Sequence, residues 1–184
     1  NSLEAITVPS ARAGLLSILS AMDIGKEDEV LLTGYSCSAV AESILFLGIK
    51  PIYVDIDLKN YGMDVREAKK LITSNTKAII VQHTFGLPAD INRIKSLAAE
   101  YDLKIIEDCA LALGSKISNE YLGTFGDASI FSFEISKTIS VGWGGLVLIN
   151  EDKKLAMKII DFVNEFKYLS RFNSFKRLFQ AGIS

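Results

Sequence analysis

Short apolar runs alternate along this chain with longer segments in which apolar residues recur every three or four positions. The short runs are rich in Val and Ile and predict strands, whereas the longer segments predict helices. This alternation indicates a mainly parallel sheet with helices on both faces, a three-layer α/β/α fold. Seven strands are predicted, at residues 5–8, 29–33, 51–55, 77–82, 104–107, 128–133 and 145–149.

Five helices are predicted between these strands. They cover residues 13–22, 39–47, 65–73, 91–101 and 152–166, and Asp64 is the expected N-cap of the third. Because no linker, repeat or low-complexity tract interrupts the pattern, residues 1–164 are expected to form one domain. Residues 165–184 form a basic amphipathic segment, which is expected either to pack against a further C-terminal domain or to dock on a membrane surface or partner.

Composition narrows the classes of partner. The 20 basic and 22 acidic residues give a net charge of −2, so no global charge favours nucleic acid. Cys37 and Cys109 lack the spacing of a zinc site or a disulfide framework, which favours a reducing, cytoplasmic setting and no bound metal. No apolar run approaches the length of a membrane span, so no integral membrane segment is expected.

Polar residues follow most of the predicted strands. In open α/β sheets ligands bind at the carboxyl ends of the strands, so these side chains are expected to meet at one edge. They are Ser10, Tyr35, Ser36, Cys37, Asp55, Asp57, His83, Asp108, Ser136 and Lys137.

Three of these positions allow two interpretations each. Ser10 to Gly14 can place free helix N–H groups and Arg12 around a phosphate, or can be a capped helix with a solvated arginine. Asp108 can be a turn former or the partner of a cationic ring nitrogen, and Lys137 can be a surface charge or an amine nucleophile. The turn at residues 142–145 can bring the backbone close to a ligand or simply connect two strands.

Several segments, taken in order, resemble the DegT/DnrJ/EryC1/StrS family of aminotransferases, which use pyridoxal 5′-phosphate (PLP) and have the type I aminotransferase fold. The resemblance runs from about residue 10 to residue 154, and its last block is the most specific. The segments are SARAGLLSILSAMDIGKEDEVLL, LGIKPIYVDID, KAIIVQHTFGLPADI, IIEDCALALGS and YLGTFGDASIFSFEISKTISVGWGGLVLIN.

The resemblance implies a role for each matching residue. Lys137 would be the Schiff-base lysine and would move a proton between substrate and cofactor. Asp108 would pair with the protonated ring nitrogen. Ser132 and the backbone of Ala11 and Arg12 would hold the cofactor phosphate.

Other positions depart from the family's pattern. Ala11-Arg12 stands where a Gly-Thr or Ala-Thr pair is common, so a hydroxyl contact would be lost or replaced by a guanidinium. Cys37 aligns with the aromatic residue that stacks on the cofactor, for which Tyr35 could substitute. Leu111 stands where Gln or His commonly meets the ring oxygen. His83 aligns with a frequent histidine near the cofactor, although a structural strand-end histidine is an equal alternative.

The resemblance also implies an activity. A whole enzyme would transfer an amino group, typically from glutamate, to a nucleotide-linked keto sugar, as a homodimer whose partner completes each site. Family members are about twice as long and add a smaller C-terminal domain. This fragment alone is therefore expected to bind the cofactor weakly and to be catalytically inactive.

Three alternatives remain open. The first is a PLP-dependent sugar dehydratase, which commonly has His at this position, so Lys137 argues against it. A non-catalytic dimerisation or regulatory module would explain the departures at Arg12, Cys37 and Leu111. A dinucleotide-dependent oxidoreductase would need a G-x-G-x-x-G fingerprint after the first strand, which this chain lacks.

Overall fold

A computed structural model describes residues 3–165 of the chain and contains all seven predicted strands in one sheet. Two further strands of two residues each form a small separate hairpin. The strands are β1 (Leu3–Val8), β2 (Glu29–Thr33), β3 (Lys50–Val54), β4 (Thr76–Gln82), β5 (Lys104–Asp108), β6 (Lys116–Ile117), β7 (Glu120–Tyr121), β8 (Ala128–Ser132) and β9 (Gly145–Asn150). The helices are α1 (Ala11–Ala21), α2 (Ser38–Phe46), α3 (Val65–Leu71), α4 (Ile91–Tyr101) and α5 (Lys153–Asn164).

The sheet is parallel except for one strand. Its order is β1-β9-β8-β5-β4-β2-β3, and β9 pairs antiparallel with both of its neighbours. The prediction of a mainly parallel sheet is therefore confirmed. The carboxyl ends of β5 and β8 lie side by side, because Asp108 pairs with Ile130.

Alternate residues of the central strands belong to different cores, which explains why the strand sequences are almost continuously apolar. Ile80 and Ile106 belong to the core beneath α1, α2 and α5. Ile79 and Ile105 belong to the core beneath α3 and α4. The chain thus has the expected helix, sheet and helix layers.

The helix caps follow the sequence signals. Asp64 caps α3 as predicted, since its carboxylate accepts a hydrogen bond from the backbone N–H of Arg66. Ser10 caps α1 through a 3.2 Å hydrogen bond from Ala13. Asp152 caps α5, so this helix begins one residue later than predicted. Phe166, the predicted end of α5, and residues 166–184 lie outside the described part of the chain.

Among residues 3–165, the helices are all too short or too polar to cross a membrane.

Candidate cofactor site

A pocket of about 190 Å³ opens beside the carboxyl ends of β5 and β8, where the first turns of α1 and α2 also meet. Six of the predicted site residues line it, namely Ala11, Arg12, Cys37, Asp108, Ser132 and Lys137. These residues are up to 126 positions apart in sequence, so the fold alone brings them together.

The N-terminus of α1 forms one wall of the pocket. Because the N–H groups of Ala11 and Arg12 precede the first hydrogen bond within the helix, they are oriented for an anion. Gly145 allows this arrangement: a Cβ at Gly145 would lie 2.6 Å from the Ala11 nitrogen and 2.7 Å from the Ser10 carbonyl carbon. Backbone therefore packs directly on backbone where β9 meets α1.

The Arg12 side chain lies at the rim of the pocket. One of its terminal nitrogens is 3.5 Å from Oε2 of Glu42 on α2, and both side chains are 55% exposed. An exposed pair of this kind contributes about 0–1 kcal/mol to folding. The guanidinium can consequently exchange this partner for an anion in the pocket at little cost.

Asp108 is the buried acidic group of the pocket. Oδ1 accepts a 3.0 Å hydrogen bond from the backbone N–H of Ala110. Burial raises the pKa of Asp108, although the Ala110 hydrogen bond and the positive charge of Lys137 oppose that effect. A cation bound beside this carboxylate would favour its ionised form.

Lys137 belongs to the connection between β8 and β9. Its backbone N–H donates to the carbonyl of Glu134 at 3.0 Å, which forms a tight turn directly after the strand. The connection is closed by hydrogen bonds from Phe133 N–H to the Gly144 carbonyl and from Val141 N–H to the Phe133 carbonyl. Lys137 is thereby held on the same pocket as Asp108.

Three predicted site residues do not line the pocket. Tyr35 packs instead in an exposed aromatic group with Tyr61 and Phe85, in which ring centroids are 6.0 to 6.4 Å apart. Leu111 is 40% exposed just beyond Asp108. His83 is buried, and its Nε2 is 2.9 Å from Glu107 Oε2.

The other polar residues at the strand ends do not all meet at the pocket. Ser10 lines the pocket. Asp57 instead lines a separate polar depression near α3, together with Asp64 and Asp90. Asp55 accepts a local hydrogen bond from the N–H of Ile56. A shared sheet edge therefore identified the right region but included residues with purely local roles.

Sequence reasoning missed several residues of the site. Glu134 and Trp143 line the pocket from the connection that carries Lys137, and Ala39 and Val40 line it from α2. The sequence signal for Trp143 is its position between glycines, in the turn at residues 142–145 that can bring the backbone close to a ligand.

The fold is shared with a class of protein, the aminotransferases, of which two solved structures superimpose with TM-scores of 0.82 and 0.81. The chain belongs to the DegT/DnrJ/EryC1/StrS aminotransferase family, whose model matches residues 1–176. The resemblance inferred from the sequence motifs is confirmed.

Individual relatives indicate the breadth of the family. The chain is 39% identical over 150 residues to a UDP-N-acetyl-3-dehydro-alpha-D-glucosamine 3-aminotransferase of Acidithiobacillus ferrooxidans, covering 82% of this chain and 41% of the relative. It is 41% identical over 158 residues to GDP-perosamine synthase of Escherichia coli O157:H7, covering 86% and 43%. The crystal structure of NtdA from Bacillus subtilis with bound cofactor PMP superimposes with a TM-score of 0.81 at 29% identity, covering 90% of this chain and 39% of that one.

The chain thus spans about two fifths of the length of the curated relatives it matches.

Proposed function

We propose that this chain is the cofactor-binding part of a PLP-dependent aminotransferase that acts on a nucleotide-linked keto sugar. The observation that carries the proposal is the convergence of Asp108, Lys137 and the N-terminus of α1 on one pocket. These groups match the three chemically distinct parts of PLP: a ring nitrogen, a carbonyl carbon and a phosphate.

The phosphate would bind at the start of α1. The N–H groups of Ala11 and Arg12 would donate to its oxygens, and the helix dipole would favour its negative charge. The Ser132 hydroxyl at the end of β8 is a further donor on the same pocket. Arg12 would add a charge-assisted hydrogen bond in place of the hydroxyl that family members commonly have.

The ring would lie against Asp108, whose carboxylate is buried and forms no ion pair within residues 3–165. A protonated ring nitrogen would supply an adjacent positive charge, and Asp108 would in turn keep the nitrogen protonated. Cys37 lines the pocket and would contact a face of the ring. Leu111 and Tyr35 lie outside the pocket lining, so they would reach the cofactor only from the rim of the pocket. We place His83 behind Asp108 rather than on the ring, because its two ring nitrogens are engaged by Glu107 and by the backbone N–H of Ala89.

Lys137 would provide the reactive amine. Bound PLP supplies an electron sink for the pair released when a proton leaves the substrate carbon. Nζ of Lys137 would accept the proton that leaves the substrate carbon and would deliver it to the cofactor. The tight turn at Glu134 restricts the backbone of Lys137. Fewer conformations of Lys137 must therefore be excluded before its amine can react.

The names of the relatives support a proposal for the sugar substrate. Two of them are named for amino sugars linked to UDP or GDP, so we propose a nucleotide-linked keto sugar as acceptor. We propose glutamate as amino donor because the resemblance to the family implies it. A homodimer is supported by exposed apolar side chains in the connection that carries Lys137, including Ile139 and Val141 at 56% and 66% exposure. The free thiols of Cys37 and Cys109 support a reducing cytoplasm.

The proposal is tested by titrating the purified chain with PLP and recording the visible absorbance of the bound cofactor. Lys137→Ala should abolish the absorbance of the covalently bound form without changing the far-UV circular dichroism. Lys153→Ala is the matched control, because Lys153 is an exposed lysine at the start of α5 and should leave the absorbance unchanged. Equal loss in both variants, or in neither, would contradict the assignment of Lys137.

A second measurement addresses amino transfer. The whole protein, loaded with PLP, should release 2-oxoglutarate from L-glutamate in a reaction that depends on Lys137. Specific PLP binding without this release would favour the alternative of a non-catalytic module that retains the fold.

A further inference from the structure

Glu107 is a fully buried carboxylate with an unusual number of hydrogen-bond donors around it. Oε1 accepts from the backbone N–H groups of Phe125 and Gly126 at 2.7 and 2.8 Å. Oε2 accepts from the N–H of Gly123 at 2.8 Å and is 2.9 Å from Nε2 of His83. The Glu107 carboxylate thus takes part in four hydrogen bonds, more than a side chain that only fills space in the sheet would form.

The hydrogen bonds of His83 assign its tautomer. The backbone N–H of Ala89 donates to Nδ1 at 3.1 Å, so Nδ1 has no proton of its own. The ring proton is then on Nε2, which donates it to Glu107. Both ring nitrogens are engaged, and a metal ion at His83, Glu107 and the nearby Cys109 would have to displace these bonds.

These contacts surround the strand position that carries Asp108. Glu107 and Asp108 point to opposite faces of β5, because side chains alternate along a strand. The backbone N–H of His83 also donates to the carbonyl of Asp108 at 3.1 Å. His83 therefore holds β5 twice, through the main chain of Asp108 and through the side chain of Glu107.

The other donors connect Glu107 to the strand that carries Ser132. Residues 123–126 form the turn that leads into β8, and Asp127 N–H donates to the Ile105 carbonyl at 2.9 Å. Gly126 fits closely, since a Cβ there would lie 2.7 Å from the same carbonyl oxygen. One buried carboxylate thus fixes β5 relative to the start of β8.

The charge of Glu107 matters for this role. Burial by itself would raise the pKa of Glu107, but the hydrogen bonds from His83, Gly123 and Gly126 outweigh it and leave the pKa lowered. The carboxylate is accordingly ionised at neutral pH, and charged hydrogen bonds are stronger and more directional than neutral ones.

We infer that Glu107 and His83 act as a positioning pair, which sets the place of Asp108 in the pocket from the opposite face of the sheet. The pair does not line the pocket that holds Asp108 and Lys137, so it would act only through β5. The consequence for the cofactor rests on the proposed function, whereas the effect on Asp108 itself does not.

Two substitutions at His83 separate the two hydrogen bonds of its ring. His83→Gln keeps a donor near the place of Nε2, and His83→Asn keeps an acceptor near the place of Nδ1 but loses the donor to Glu107. Glu107→Gln is a third variant, in which an NH₂ group must face N–H donors on either side. Ile79→Val is the control, since Ile79 is equally buried on the same face and makes none of these hydrogen bonds.

Two measurements on the cofactor-free chain are required. Amide hydrogen exchange reports whether Gly123, Phe125 and Gly126 stay protected. Carbon-detected NMR reports the chemical shift and titration midpoint of the Asp108 carboxyl group. The midpoint also senses the charges of Lys137 and His83. Lys137 is therefore kept unchanged in every variant, and the comparison of His83→Gln with His83→Asn excludes a direct effect of the His83 charge, because both variants lack the ionisable ring.

His83→Asn and Glu107→Gln should lose protection at the three amides and move the Asp108 midpoint by about half a pH unit or more. They should also weaken PLP binding roughly tenfold. His83→Gln should stay close to the original protein. A purely structural pair would give a different pattern: lost protection with an Asp108 midpoint that moves no more than in Ile79→Val, which would overturn the inference.

Two further results have defined meanings. If His83→Gln changes Asp108 as much as His83→Asn does, the Nε2 hydrogen bond is not the link and the inference fails. If Asp108 responds as expected but the original protein binds no PLP, the proposed function fails and the positioning pair stands. Should Glu107→Gln not fold, the two His83 variants decide the matter alone.

Discussion

Gly145→Ala is the substitution with the clearest structural consequence. The added Cβ would lie 2.6 Å from the Ala11 nitrogen, 2.7 Å from the Ser10 carbonyl carbon and 3.0 Å from the Phe131 carbonyl oxygen. All three neighbours are backbone atoms, so no side chain can rotate away. Reaching an ordinary contact of 3.4 Å requires the start of α1 and β9 to separate by about 0.8 Å.

The expected cost has two parts. Overpacking of this kind destabilises a fold by about 1–3 kcal/mol. Displacement of the Ala11 N–H also removes a hydrogen bond to an ionised phosphate, which contributes about 1.5–3 kcal/mol. PLP affinity should therefore fall roughly 10- to 100-fold.

Urea unfolding and PLP titration measure the two effects. Gly25→Ala is the matched control, because a Cβ at Gly25 meets nothing within 4 Å. It should leave both the free energy of unfolding and the PLP dissociation constant unchanged. Unaltered PLP affinity in Gly145→Ala would refute the placement of the phosphate at the N-terminus of α1.

Three other substitutions test separate features. Asp108→Asn should stabilise the cofactor-free chain by roughly 1 kcal/mol at neutral pH in urea unfolding, while weakening PLP binding. The reason is that a raised folded-state pKa makes stability fall as pH rises above about 4 through that pKa, a loss that Asn does not suffer. Asp64→Ala should cost about 1 kcal/mol by removing the cap of α3, with PLP affinity unchanged. The hydrogen bond from the Arg66 side chain lowers the pKa of Asp64 to about 2, so this difference should be present above about pH 4 and shrink as pH falls towards 2. Arg12→Ala should leave stability within about 1 kcal/mol but weaken PLP binding several-fold, and Arg12→Lys should restore part of it.

The middle of the sheet was predictable because its strands are largely buried. Residues 78–81 are continuously apolar and mostly β-branched, and residues 128–133 combine Ile130 with Phe131 and Phe133, so composition and length identify both runs as strands. The hairpin of β6 and β7 was not predictable in this way, since two-residue strands show no period. Ser118 and Asn119 in its turn have positive φ angles of 46° and 75°. A Ser-Asn pair is only a weak sequence signal for such a turn.

The pocket was partly predictable. The rule that ligands bind at the carboxyl edge of a parallel sheet predicts from the sequence alone that Asp108 and Lys137 lie close together. The same rule included Asp55 and Asp57, whose polar groups satisfy nearby backbone instead.

Glu107 illustrates what sequence could not supply. A glutamate beside a strand-end aspartate has the pattern of a solvated turn, yet it is completely buried. Its donors come from 24 residues earlier and 16 to 19 residues later in the chain. Local patterns carry no information about partners at such separations, so only the packed structure shows why a charge is tolerated there.

The central claim is that Lys137 is the residue that binds PLP covalently. The most direct test is borohydride reduction of the PLP-saturated chain, followed by proteolysis and mass spectrometry of the labelled peptide. The account predicts one stoichiometric label, at Lys137, that disappears in Lys137→Ala. A label spread over exposed lysines such as Lys153, or no label on a folded chain, would contradict it.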